Sequence, residues 1–218
     1  MKNNIKINYF DIGSLTGIEL EWMTKDIFPK LNIINYKAYS FEPNPIAYEN
    51  LKKKFDSNKR ITLLNYAINR YNGKCNLYLA HKDPGHSIFT TKKNVDPKKY
   101  IEVPCIKFSD WLLKQIPTFK NEFNIIRYNI EGAELFLLKD LLSTNLINYI
   151  HILAGAGLKD IKKVKEISKR HQNLKRSLDA RQIILHPFCG GSKNENVNMS
   201  LILKQKLEEF YENKEKVS

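Results

Sequence analysis

Cysteine is scarce: the 218 residues hold three, Cys75, Cys105 and Cys189, with no C-x-x-C pair among them. That spacing indicates neither a disulfide framework nor a zinc site, and each reads as a buried thiol in a reducing, cytoplasmic compartment. Long apolar runs are also missing. Without a stretch of about 18 apolar residues no membrane-spanning helix is expected. The opening Met1-Lys2-Asn3-Asn4 leads straight into a strand-like stretch, with no signal-peptide hydrophobic region. Acids run short, at 23 Asp and Glu against 36 Lys and Arg, leaving a net charge of +13. A surplus of that sign favours anionic partners: nucleic acid, phosphorylated sugars, acidic glycans or a membrane surface. Lysine far outnumbers arginine, and asparagine and isoleucine abound, so the coding bias of an AT-rich genome accounts for the charge equally well. No internal repeat and no linker divides the chain. A hydrophobic fraction of 42% suits one well-buried domain over 1–218.

What is present is organised around Tyr9-Phe10-Asp11-Ile12-Gly13-Ser14-Leu15-Thr16-Gly17. An apolar run ends in an acid, passes through a loop with two glycines and enters an amphipathic stretch. This is a strand, a tight turn and a helix start. Glycine has no Cβ to keep a ligand off the backbone, and a helix start leaves N–H groups without partners. Gly13 and Gly17 do not complete a G-x-G-x-x-G, so the dinucleotide fingerprint is absent. A second apolar run from Tyr36 ends at Phe41-Glu42-Pro43-Asn44-Pro45. An acid at the end of the second strand is where a nucleoside-binding α/β fold pairs ribose hydroxyls.

Helices are expected over 19–28 and 45–55, with Pro45 in a first turn. Ile61 to Ile68 reads as one strand, Lys74 to Ala80 as an extra one. His81 to Lys99 is a long polar excursion, and loops of that length inside a compact domain are often functional. Ile101 to Phe108 reads as a strand, followed by a helix from near Trp111 capped by Ser109 or Asp110. A core strand over 123–130 leads into a helix over 131–142. A strand over 147–153 leads into a basic helix over 160–174. Gln182 to Phe188 and Val197 to Leu203 read as a closing antiparallel pair, before a charged tail helix over 204–217. Strands alternating with helices indicate a three-layer α/β fold.

Three stretches together resemble the FkbM-type methyltransferases, which use S-adenosylmethionine. Asp11-Ile12-Gly13-Ser14-Leu15-Thr16-Gly17 is similar to that family's D-[IV]-G-A-N-x-G turn. Phe41-Glu42-Pro43 looks like its F-E-P segment, and Asn129-Ile130-Glu131-Gly132-Ala133-Glu134 like its D-[IV]-E-G-A-E. The resemblance implies a Rossmann-like class I methyltransferase fold, with a mostly parallel seven-stranded sheet whose last strand is antiparallel. It implies S-adenosylmethionine as cofactor and O-methylation, often of a sugar hydroxyl. On this reading Asp11, Gly13, Ser14, Gly17, Glu42, Pro43, Ala67, Ile68 and Asn129 hold the cofactor. Glu131 and Asn129 stand beside the transferred methyl, and His86 on the excursion is a further candidate base, ahead of His81 and His151, while His186 before Pro187 reads as structural. Glu134 reads as a helix-start residue favoured by the helix dipole. Leu15 stands where the family usually has Asn, and Asn129 where it has Asp. An amide can neither take a proton nor hold a cation as a carboxylate does, so no metal is expected. Two other functions fit the basic charge: an RNA-directed methyltransferase, and a non-catalytic module holding nucleic acid or protein.

Overall fold

The computed structural model describes residues 5–81, 85–189 and 192–216. Expectations for residues 1–4, for 82–84 within the excursion and for the end of the tail at 217 lie outside them. Strand β1 (Ile7–Ile12) is buried at every position. A strand so placed is covered on both faces, which is why its sequence reads as a nearly continuous apolar run. It pairs in parallel with β2 (Tyr36–Phe41) on one side and β7 (Phe123–Tyr128) on the other. Beyond β2 lies β3 (Ile61–Leu64); beyond β7 lie β8 (Ile152–Gly155) and β9 (Leu185–Pro187). The order is β3-β2-β1-β7-β8-β9. Chain order reverses between β1 and β7, and the crevice at the carboxyl ends of such strands is where open α/β sheets bind ligands. Ile12 is level with both Phe41 and Tyr128, so the loops leaving all three strands meet at one rim.

Alternate residues of β1 feed two cores. Phe10 and Ile12 join Phe41, Phe108, Leu135 and Leu138 on one face; Ile7 and Tyr9 join Leu20, Met23, Phe28 and Leu203 on the other. The first helical stretch runs over 18–30, as α1 (Ile18–Glu21), a π-helical turn (Trp22–Ile27) and α2 (Phe28–Lys30). Helix α3 (Pro45–Phe55) starts at Asn44, whose Oδ1 accepts the Ile46 N–H at 2.9 Å. The remaining helices are α4 (Phe108–Gln115), α5 (Glu134–Ser143), α6 (Lys159–Lys163), α7 (Arg170–Asp179) and α8 (Lys193–Glu215). No helix among the described residues is long and apolar enough to cross a membrane.

The α/β class and the parallel sheet are as expected, but several details are corrected. Among the described residues the central sheet has six strands rather than seven, and none is antiparallel. The expected final strand over 197–203 is helix α8. Its alternating apolar residues would share one strand face, yet only Met199 and Leu203 are buried while Val197 and Leu201 are exposed, a spacing of four that belongs to a helix. The single strand expected over 61–68 is two. Asn65 Nδ2 donates to the carbonyls of Glu42 at 2.7 Å and Pro43 at 3.1 Å, pulling the chain off β3. The next residues form β4 (Ala67–Ile68), which joins β6 (Val95–Ile106) and β5 (Gly73–Ala80) in a separate small sheet. The far end of the expected excursion is therefore strand, and β6 begins six residues earlier than its apolar run. Helix α4 begins at Phe108 without a side-chain cap, because Ser109 N and Oγ both donate to the Asp140 carboxylate at 2.7 Å and tie α4 to α5. The expected strand over 147–153 splits into a 3₁₀ turn (Leu146–Tyr149) and β8. The basic helix expected over 160–174 breaks at Val164, which bridges to Lys92.

Candidate functional site

Two connected hollows open at the rim above β1, β2 and β7. The first, of about 120 Å³, lies between the Gly13–Leu15 turn, Phe41–Pro43, Tyr66–Ile68, the 85–88 segment and Asn129–Glu131. The second, of about 690 Å³, lies between the same turn and the start of α3, and shares Gly13, Leu15, His86 and Asn129 with the first. Gly13, Glu42, Pro43, Ala67, Ile68, Asn129, His86 and Glu131, widely spread in sequence, thus line one cleft. Ser14 lines only the second hollow.

The turn after β1 is built to approach the turn after β7. Gly13 has φ 84°, and a Cβ on it would lie 2.2 Å from the Asn129 carbonyl oxygen. Glu42 fixes the turn from the other side: its carboxylate accepts the Leu15 N–H at 2.8 Å and the Asn44 N–H at 2.9 Å. Each oxygen keeps a lone pair for a further donor. Burial pushes the Glu42 carboxyl up to about 7, against the lowering effect of those two bonds. Leu15 holds φ 47°, a left-handed conformation that asparagine adopts more readily than leucine.

Two expected site residues support the cleft without lining it. Asp11 is fully buried on the opposite face of β1, where Oδ1 accepts from Arg127 Nη1 at 3.1 Å. Arg127 also donates to the Gly13 carbonyl at 2.8 Å and pairs with Glu19 at 3.0 Å. Burial, with the Glu19 charge adding to it, raises the Asp11 pKa against the pull of Arg127. Gly17 packs below the turn, where a Cβ would meet Phe55 and Leu51. Arg127 itself was not singled out from sequence. A lone arginine in a mostly apolar strand, in register with Asp11, was the available signal.

The turn after β7 departs from the expected helix over 131–142. Glu131 stands before α5 with φ 58°, and strained non-glycine backbone of this kind collects at functional sites. Glu134 closes the turn as the helix-start residue it was read to be: its carboxylate accepts the N–H groups of Ile130 at 2.9 Å and Gly132 at 2.6 Å. The Glu131 carboxylate is paired with Lys92, whose side chain is only 2% exposed. Nothing in the polar stretch Thr91-Lys92-Lys93-Asn94 marks that lysine in the sequence.

The histidines divide sharply. His86 lines both hollows, but its Nδ1 accepts the Ala80 N–H at 2.9 Å, which in a neutral ring leaves the proton on Nε2. That bond engages Nδ1 and holds the ring at the wall of the cleft. His151 is stacked on Phe123 and accepts the Asn124 N–H through Nδ1 at 3.1 Å, at the opposite end of the sheet. Burial pushes it down to about 4. His186 sits in β9, and His81 lines neither hollow.

Comparison with known proteins follows the same lines. No curated protein matches the chain. A crystal structure of the methyltransferase FkbM from Methylobacillus flagellatus KT is similar at 15% identity and a TM-score of 0.41, over 79% of this chain and 38% of that one. The chain thus spans well under half the length of that relative. The family model of the methyltransferase FkbM domain matches residues 22–184, taking in both Phe41-Glu42-Pro43 and Asn129 to Glu134. With that match running over well more than half of its length, the chain belongs to the FkbM methyltransferase family.

Proposed function

We infer that this chain is an S-adenosylmethionine-dependent methyltransferase that methylates a hydroxyl of a small or glycan acceptor. The observation that carries the reading is the convergence of the Gly13 turn, the buried Glu42 carboxylate and the Asn129–Glu131 turn on one cleft. The residues fit the cofactor's parts. Glu42 has acceptor capacity for ribose hydroxyls; Phe41, Tyr66, Ala67, Ile68 and Leu77 offer an apolar wall for a flat base. Gly13 leaves backbone open where a side chain would collide with Asn129. When bound, the cofactor supplies an activated methyl group on a sulfonium. Methyl transfer of this kind needs the acceptor oxygen in line with the methyl, so positioning provides most of the rate.

Asn129 has both a donor and an acceptor with which to orient the amino-acid end of the cofactor or the acceptor. Glu131, at the rim of the cleft, orients the acceptor hydroxyl and takes its proton late. His86 contributes a donor. RNA as the acceptor is the second reading, favoured by an exposed basic run beside the cleft over 159–181. The test is calorimetry with S-adenosylmethionine, followed by a screen of glycan and RNA acceptors with labelled methyl. Glu131→Gln keeps the shape and removes the charge. Turnover should drop by about 10²–10⁴-fold, as loss of a general base does, well beyond the roughly tenfold loss of cofactor affinity that breaking its pair with Lys92 brings. Turnover that survives the substitution would leave Glu131 as a turn residue only, and absence of cofactor binding would sink the reading altogether.

A further inference from the structure

Lys92 is the most deeply buried ammonium in the neighbourhood of the cleft, and it joins two walls. Its Nζ donates to the Glu131 carboxylate on the turn after β7 and to the Gly85 carbonyl, at 3.0 Å, on the segment that carries His86. The two walls are stitched again nearby. Ser87 Oγ donates to the Glu131 carbonyl at 2.8 Å and accepts the Phe89 N–H at 3.2 Å. Phe89 and Val164 close over Gly132, where a Cβ would lie 2.8 Å from Val164 Cγ2. A buried ammonium that loses its anionic partner is strongly unfavourable, and so is the reverse. The cation therefore constrains where Glu131 and Gly85 sit relative to each other.

We propose that Lys92 is a positioning residue, which acts through Glu131 to hold the 85–89 segment and the turn after β7 at the separation that forms the cofactor cleft. The proposal rests on the functional reading above. It reaches the ligand indirectly, since Lys92 is not among the residues lining either hollow.

The test is a double-substitution cycle on the full chain, with S-adenosylhomocysteine as the probe and calorimetry as the readout. Lys92→Met should weaken binding by about tenfold, a coupling typical of residues in one network. In a Glu131→Gln background the same change should have little further effect, because the latch is already broken. Lys92→Arg keeps the cation and should recover most of the affinity. A merely structural lysine would give losses that add in the double variant, and would show no rescue by arginine. Affinity within twofold of wild type for Lys92→Met, or additive losses, overturns the proposal. Amide exchange without ligand separates its failure from that of the functional reading. In Lys92→Met the amides of Ser87 and Gly132 should lose protection together, and loss at Ser87 alone overturns the latch even where no cofactor binds.

Discussion

Glu42 is held where its charge is disfavoured, and that gives it a measurable signature. Its carboxyl titrates near 7 in the fold against 4.5 for the free group, because burial outweighs the two N–H bonds it accepts. A carboxyl raised in this way stabilises the fold fully below its unfolded pKa and loses that contribution as pH rises through the folded value. Glu134 is raised to about 7 by the same cause. His151 works in the other direction: depressed to about 4 from 6.5, it lowers stability only as pH falls below 6.5. A shift of this size is worth about 3 kcal/mol each, most of it lost between the unfolded and folded values, and between about pH 6.5 and 8, where the carboxyls act alone, the last ~1 kcal/mol each is lost. Melting temperature should therefore fall across that window, and Glu42→Gln should flatten part of the fall. The same variant should bind S-adenosylhomocysteine about tenfold or more weakly, since a hydrogen bond to a charged group is worth about 1.5–3 kcal/mol. A steep wild-type slope retained in the variant, or unchanged affinity, would show that Glu42 serves the loop alone. Residues of this kind were legible in the sequence because an acid at a strand end has few reasons to be there. Lys92 and Arg127 were not, because their partners lie 39 and 116 residues away in the chain.

At the scale of elements, the central strands were legible and their edges less so. Strands β1 and β7 carry largely apolar runs that burial at every position explains, while β2 alternates, with Lys37 exposed. Where one alternation of apolar residues fits both a strand and a helix, as over 197–203, the choice depended on a sheet edge that the sequence does not display. The break between β3 and β4 depended on one amide, Asn65, bonding to the chain leaving β2. The meeting of the turns after β1 and β7 is the junction the site requires, and two glycines test it differently. Gly13→Ala at φ 84° forces a Cβ to 2.2 Å from the Asn129 carbonyl oxygen, backbone that cannot swing aside, and to 2.8 Å from Ile130 Cγ2. Strain at such a position is of order 1–3 kcal/mol. The variant should melt lower and lose cofactor binding, because the turn after β7 moves with it. Gly17→Ala is equally strained at φ 70°, but its Cβ meets side-chain atoms of Phe55 and Leu51, neither of which lines the first hollow. It should lose stability while binding S-adenosylhomocysteine nearly as well. Parallel loss of affinity in both variants would mean that the whole 13–17 turn, rather than its junction with Asn129, sets the cofactor site.

Across the whole molecule, the surplus of positive charge is unevenly spread. A coding bias toward lysine would scatter cations along the chain. Instead, a quarter of all Lys and Arg fall between Lys159 and Arg181, about a tenth of the length, and every one of them is exposed. The three acids of that stretch are already engaged: Asp160 with Lys163 at 2.6 Å, Asp179 with Lys175 at 2.5 Å, and Glu166 with Thr90 and Thr91. The run adjoins the cleft. Val164 bridges to Lys92, and the Lys163 pKa is raised by its bond to Asp160 and further by the charge of Glu131. His171 is pushed down by partial burial and then by Lys162 and Lys175, so the cations crowd one another. Exposed charge in such a row attracts an extended anion and is screened by salt. If the acceptor is anionic, its apparent affinity should fall steeply between about 50 and 200 mM salt. Replacing Lys165, Lys169 and Arg176 together by Glu should weaken acceptor binding and reduce that slope. These residues lie outside the cleft, so S-adenosylhomocysteine affinity should hold in the variant and change little with salt. Acceptor affinity that is flat in salt, with turnover unaffected by the triple substitution, would return the basic run to composition and point to an uncharged acceptor.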